Sequence, residues 1–277
     1  MKALSAGMSG FICDNLRSSA SNSCFQDQQP MPKPPRFFIA PADVREREIT
    51  ISGGDVRHIR TVLRKQPGDV LTLLDGRGAE YQARIIRLEQ ARILAVIESQ
   101  VHKERQGPLI VLGQGVAKSD KMDWVVQKTT ELGVSSIVPL MTERTIVKVK
   151  DEAKRTSRWQ TIAREAAMQS NRVDIPAIEQ IVSFNDFIRT PNSEPGTLSL
   201  LPWEEGTTPV KEVLRAHADA RKIVVLIGPE GGFSANEARL AEAQGFRAVT
   251  LGPNILRTET AAIAVLSMIL YETGATA

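Results

Sequence analysis

Aromatic side chains make up only 5% of this 277-residue chain, which argues against a ring platform for stacking bases. Three histidines and two cysteines leave no cluster with metal-ligand spacing, so no metal site is expected. Without a Cys-His or Ser-His pairing pattern, covalent nucleophilic catalysis has no support. No apolar run approaches the roughly 18 residues that a membrane-spanning helix requires. Charge of one sign is not in large excess either. At a formal +3, any nucleic-acid contact must come from local clustering. The glycine-rich segments match neither G-x-G-x-x-G nor a P-loop, because no Gly-Lys-Ser/Thr follows them.

What is present describes a globular chain. Hydrophobic residues reach 42% and charged ones 24%, enough to build a core, and the length predicts two domains after a short leader segment. Residues 1–35 hold both cysteines, Cys13 and Cys24, and are rich in Ser, Asn, Gln and Pro. That composition supports no packed core and reads as disordered. It lacks a basic start followed by an apolar stretch, so a signal peptide is not expected and the expected compartment is the cytoplasm. Met31 is an alternative initiator.

From Arg36 to Gly107 the pattern is mainly strands: Ile49–Ile51, Val70–Leu74, Glu80–Ile86 and Ala91–Ile97, separated by turn signals such as Gly68-Asp69 and Asp75-Gly76. One short helix is predicted from Asp55, with Val56, Ile59 and Leu63 inward. Arg57, His58, Arg60, Arg64 and Lys65 place five potential donors within nine residues. A solvated face is the commoner fate of such a run. Phosphate contact is favoured here, with Arg36 and Arg77 as additions, and such contacts position RNA without reading its sequence.

From Pro108 strands alternate with helices, the signature of a parallel α/β sheet. Leu109–Leu112, Ile137-Val138 and Leu198–Leu201 read as strands. Helices are predicted from Asp120 to Leu132 and from Thr156 to Ser170. Glu165, Gln169 and Arg172 fall near helical spacing, which equally suits a polar helix face ending in a loop.

Two strand-to-helix junctions close the chain. In the first, the apolar run Ile223–Ile227 leads into Gly228-Pro-Glu-Gly-Gly-Phe233, and Ser234 with Glu237 has capping-box spacing for a helix that stops at Gly245. A glycine loop carrying a carboxylate suits an uncharged or cationic ligand. Taken alone, it serves equally well as a turn joining strand to helix. In the second, Val249–Leu251 leads into Gly252-Pro253, and Thr258 is the expected cap of an apolar helix. Arg257 and Glu259 stand at the mouth of that helix. Ligands of open α/β sheets bind beyond the carboxyl ends of the strands, so two such junctions suggest one composite pocket.

Gly228-Pro-Glu-Gly-Gly-Phe233 in tandem with Leu251-Gly-Pro-x-Ile-Leu-Arg-Thr-Glu-Thr-Ala261 resembles the SPOUT superfamily of methyltransferases. More narrowly, it resembles the ribosomal RNA small subunit methyltransferase E family, which methylates N3 of a uridine in 16S ribosomal RNA. Arg36–Ile39, Asp55–Arg64, Lys118–Leu132, Pro139-Leu140 and Glu143-Arg144 extend the likeness over roughly residues 36–275.

The resemblance implies a PUA-like RNA-binding β-barrel at 36–107, then a SPOUT-type α/β domain at 108–277 with a knotted C-terminal segment. It implies S-adenosylmethionine as cofactor, held by Leu201, Pro202, Gly228, Pro229, Glu230, Gly231, Gly232, Leu251, Gly252, Ile255, Leu256 and Thr260. It also implies a homodimer acting on ribosomal RNA of the small subunit, with Arg144 and Arg172 on the RNA side. Arg257 is the candidate for stabilising the uracil oxygens. Glu259 is either the base or the residue that orients Arg257, the second role being favoured because a carboxylate beside an arginine is a weak base. Rival readings are a ribose 2′-O-methyltransferase of ribosomal or transfer RNA and a non-catalytic ribosome assembly factor.

Overall fold

A computed structural model describes residues 34–147, 151–189 and 194–275. The tail expected at residues 1–35 therefore lies, except for its last two prolines, outside the described residues. Among the described residues no helix is long and apolar enough to cross a membrane.

The first sheet has six strands in the order β1-β4-β5-β6-β3-β2. These are β1 (Arg36–Phe38), β2 (Val44–Arg45), β3 (Glu48–Ser52), β4 (Val70–Leu74), β5 (Ala79–Leu88) and β6 (Arg92–His102). Only β1 and β4 pair in parallel. Strand β5 alternates as period 2 requires, with Ala79, Tyr81, Ala83 and Ile85 buried and the residues between them partly or fully exposed. Register shifts at Gln82/Ala83 and Ile85/Arg87 mark bulges, which increase local twist.

The predicted helix at Asp55 is real but short and irregular. A single α-turn, α1 (Gly54–Arg57), runs into a wider π-turn over His58–Val62. Leu63 N–H reaches back five residues to His58 O (3.0 Å), and Arg64 then adopts a left-handed φ of 52°. Val56 and Ile59 are buried, and with the π-turn among them Arg57, Arg60 and Arg64 do not share one regular helical face.

The second sheet is parallel throughout, in the order β10-β8-β7-β12-β11-β13 with β9 also on β8. Its strands are β7 (Leu109–Gly115), β8 (Ser136–Met141), β9 (Ala177–Ile178), β10 (Val182–Ser183), β11 (Thr197–Pro202), β12 (Lys222–Ile227) and β13 (Arg247–Val249). Ile223, Val225 and Ile227 join the core under α2 (Ser119–Glu131), α3 (Glu152–Gln169), α5 (Val210–Ala216) and α7 (Thr258–Thr273). Val224 and Leu226 face α4 (Phe184–Arg189) and α6 (Ala235–Ala243) instead. That is why the run reads as continuously apolar: both faces are covered, and each such side chain contributes roughly 1.5–3 kcal/mol by burial.

Helix α3 begins four residues before its predicted start, because Asp151 caps it by accepting from Lys154 N–H (2.9 Å). Ser234 and Glu237 form the expected capping box, and Gly245 takes a φ of 87°. Helix α2 begins at Ser119, one residue before its predicted start, and Lys118 occupies its N-cap without a side-chain bond. Residues 203–209 run beside the end of β13 (Trp203 N–H to Val249 O, 3.1 Å; Thr250 N–H to Thr208 O, 2.9 Å).

A polar and apolar seam joins the first sheet to α3. Phe38, Leu74 and Ala167 form a small buried cluster. Arg164 donates to Phe38 O (2.7 Å) and pairs with Asp55 (3.2 Å). Asp174 bridges to Gly76 and pairs with Arg172 (2.8 Å) and Arg105 (3.1 Å). Burial works against ionisation of Asp174, but the two guanidinium groups outweigh it and hold its carboxyl below the usual range.

Candidate active site

Both C-terminal junctions open into one cleft of about 460 Å³. Its wall is built from the carboxyl ends of β11, β12 and β13, the position at which open α/β sheets bind ligands. Residues 227–233 and 250–258 supply most of the lining, with Pro202, Trp203 and Glu204 from the β11 end and Lys121 from α2. The volume lies within the range of small-molecule sites.

Two glycines make this convergence possible. A Cβ on Gly115 would lie 2.4 Å from Pro229 N, so the end of β7 can touch the first junction only without a side chain. A Cβ on Gly228 would sit 2.9 Å from the Gly232 carbonyl carbon, so the loop folds tightly on itself. On its outer side, the β8–α3 loop is stitched to the same junction. Arg144 donates to Gly231 O (2.9 Å), Ser234 Oγ donates to Glu143 (2.6 Å), and Glu143 N–H donates to Glu237 (2.8 Å).

The charge in the cleft is mixed but includes carboxylates from both junctions. Glu230 accepts from Lys118 N–H (3.0 Å) and pairs with Lys121 Nζ (3.5 Å). Burial opposes its ionisation, yet these donors and its own backbone prevail and keep its carboxyl below the usual range. Lys121 also approaches Glu259 (3.9 Å), whose Oε2 is buried without a hydrogen bond. Arg257 is exposed on the cleft wall at the N-cap of α7; among the described residues its guanidinium makes no hydrogen bond or ion pair. Glu204 and Glu230 on the wall are balanced by Lys121 and Arg257, so the cleft carries no excess of positive charge that would select a phosphate.

The predicted site residues divide as follows. Pro202, Gly228, Pro229, Glu230, Gly231, Gly232, Leu251, Gly252, Ile255, Leu256 and Arg257 lie on the cleft wall, with Ile255 83% exposed at its rim. Leu201 is fully buried beneath it, and Thr260 is exposed but off the wall. Glu259 reaches the cleft through Lys121. Thr258 does not cap α7 as expected. Arg257 takes that backbone position, and the Thr258 hydroxyl donates inward to Gly228 O (2.6 Å). Lys121, Trp203 and Gln114 escaped sequence reasoning, because nothing in spacing indicates which polar residue of a buried helix or strand meets a distant loop.

The basic residues fare unevenly. Arg57, His58, Arg64 and Arg77 are exposed, and His58 stacks edge-on against Phe37 at 5.8 Å. Arg60 is exposed yet donates to the carbonyls of Glu89 and Gln90 (3.1 and 3.3 Å). Arg36 pairs with Glu80 (3.6 Å) and donates to Arg172 O. Arg172, expected on the RNA side, is engaged within the fold. Its side chain is 9% exposed and donates to Thr130 O (2.7 Å) and Val134 O (2.9 Å) besides pairing with Asp174.

This fold and cleft define a class. Residues 104–270 match the family model described as RNA methyltransferase domain, and residues 51–98 match the one described as RNA methyltransferase PUA domain. A Bacillus subtilis protein named ribosomal RNA small subunit methyltransferase E is 30% identical over 250 residues, covering 86% of this chain and 96% of its own. Its Synechocystis namesake is 33% identical over 236 residues, covering 84% of this chain and 76% of its own. Among solved structures, ribosomal RNA small subunit methyltransferase E from Neisseria gonorrhoeae, bound to S-adenosyl methionine, superposes with a TM-score of 0.76 at 33% identity. That match covers 86% of this chain and 97% of the other. A methyltransferase from Legionella pneumophila in complex with the same cofactor gives 0.74 at 34% identity, over 87% and 98% of the two chains. The chain belongs to the ribosomal RNA small subunit methyltransferase E family. Its fold class is the one expected, a SPOUT-type α/β domain preceded by a PUA-like domain.

Proposed function

We propose that this protein transfers a methyl group from S-adenosylmethionine to N3 of one uridine in 16S ribosomal RNA. The observation that carries the reading is the meeting of both glycine-proline junctions in one cleft, in a chain of this family. The donor, when bound, supplies an electrophilic methyl on a cationic sulfur. Everything else falls to the chain. The glycine loops 228–232 and 251–252 would hold the donor through backbone groups, and Leu251, Leu256 and Trp203 would shield it from water.

Uracil N3 becomes a nucleophile only after losing its proton, so negative charge must be stabilised on the base oxygens. Arg257, exposed on the wall and free of intramolecular partners among the described residues, is assigned to that task. Glu259, whose carboxylate lies 3.9 Å from Lys121, is assigned to holding the local charge around Arg257 rather than to proton abstraction. Arg57, Arg64 and Arg77 are assigned to phosphate contact. A homodimer and a cytoplasmic location accompany this reading, and the partner is RNA, in the small ribosomal subunit.

The test is methyl transfer from labelled S-adenosylmethionine to small-subunit RNA and to assembled subunits, followed by mapping of the product nucleotide. N3-methyluridine at a single position is expected. A label on a ribose hydroxyl would transfer the assignment to 2′-O-methylation, and binding without turnover would favour an assembly factor.

A further inference from the structure

Gln114, at the carboxyl end of β7, is wholly buried, yet it is polar and belongs to a strand that contributes nothing directly to the cleft wall. Its Nε2 donates to Thr258 Oγ1 (2.8 Å) and Gly115 O (3.0 Å) and approaches Gly228 O at 3.4 Å. The Thr258 hydroxyl passes the chain on to Gly228 O at 2.6 Å. Thr258 is itself only 6% exposed. Three elements far apart in sequence are thereby tied at one point: the end of β7, the first glycine loop and the first residue of α7.

The tie has an unusual cost. Among the described residues Gln114 Oε1 is buried without a hydrogen-bond partner, and an orphaned buried acceptor is destabilising. An apolar side chain of similar size would avoid that cost, so packing alone does not account for the glutamine. What it supplies is direction. Thr258 immediately follows Arg257, whose own side chain makes no cap bond to fix the start of α7. The short chain Gln114–Thr258–Gly228 links the helix start to the first glycine loop.

We propose that Gln114 and Thr258 are positioning residues for methyl transfer, acting through the start of α7 to aim Arg257 across the cleft. This rests on the proposed function above. Neither side chain reaches the reacting atoms; their effect is on geometry, to which in-line transfer is steep, since misplacement of about 1 Å can cost on the order of a hundredfold.

Purified full-length variants Thr258→Val, Thr258→Ser, Gln114→Leu and the Gln114→Leu/Thr258→Val double variant test the proposal. The readouts are single-turnover methylation of small-subunit RNA, donor affinity by calorimetry and thermal unfolding. Thr258→Val should lower the transfer rate at least about tenfold while donor affinity moves less than about threefold, and Thr258→Ser, which keeps the hydroxyl, should restore the rate. Because the two side chains work as one unit, the double variant should be no slower than the worse single variant. The proposal is overturned if Thr258→Val transfers at the wild-type rate or if donor affinity falls in step with the rate. It is equally overturned if serine fails to rescue in a variant that unfolds at the wild-type temperature, or if the two losses multiply. Should valine unfold the protein, Gln114→Leu against wild type carries the same test. Wild-type protein that does not methylate the RNA would instead remove the proposed function, a separate outcome.

Discussion

The C-terminal cleft and the arginine-bearing turn of the first sheet pose the same question and answer it differently. Both were singled out as binding regions from residue types at a given spacing. In the cleft, nearly every residue singled out for the donor lies on one wall, because the glycines constrain the backbone and the backbone places the rest. In the first sheet, the arginines share a region but not a fate. Arg57, Arg64 and Arg77 stand exposed, Arg60 is spent on two carbonyls, and Arg36 and Arg172 hold the seam. A glycine in a tight junction has few uses. An arginine, with five donors and a long stem, has many.

The largest expected effect breaks the comparison at its strongest point. Arg257→Ala should lower methyl transfer by at least about a hundredfold, the scale of losing one preorganised charge stabiliser. Donor binding by calorimetry should stay within about threefold of wild type. A variant that methylates normally would remove Arg257 from the mechanism.

Next comes Gly115→Ala. Its methyl group would lie 2.4 Å from Pro229 N, backbone that cannot move without opening the junction. A loss of about 1–3 kcal/mol is expected, hence a drop of several degrees in Tm, together with weaker donor binding. An unchanged melting temperature would show that the two strands do not meet this closely.

The arginines sharpen the contrast. Arg172→Ala should lower thermal stability, because it leaves Val134 O without its donor and removes one partner each from Thr130 O and Asp174, yet leave the salt dependence of RNA binding unaltered. Arg64→Ala should do the reverse, reducing the slope of log affinity against log salt by about one and sparing Tm. If both behave alike, exposure is the wrong guide to function here.

The smallest effect concerns acid. The folded Asp174 carboxyl is held below its unfolded value, so its contribution is fully present above the ordinary aspartate range and is lost as pH falls through the lowered folded value. Acid unfolding of Asp174→Asn should therefore be less steep than that of wild type at the low-pH end. Identical acid transitions in both proteins would show that the seam does not depend on this carboxylate.

Legibility followed the range of the interactions involved. The helix starting at Ser234 was readable because its cap involves residues three apart, and β12 because five consecutive apolar residues have one sensible environment. Short elements such as α4, β9 and β10 gave no periodic signal over so few residues. At the arginine turn the short helix was legible, whereas its widening at His58–Val62 was not, since no residue spacing marks a π-turn. Lys121 lay within a predicted helix, and Gln114 two residues past the predicted strand Leu109–Leu112. Their partners are more than a hundred residues away, and a single sequence carries no record of that pairing.

The longer strands and helices, the two strand-to-helix junctions and the family those junctions mark were determined by the amino-acid sequence alone, since each is written in residues close together along the chain. Which cations remain available, which are consumed by carbonyls, and which buried amide ties β7 to α7 were decided only on folding. Those outcomes depend on distances between segments that the chain brings together only when both sheets close.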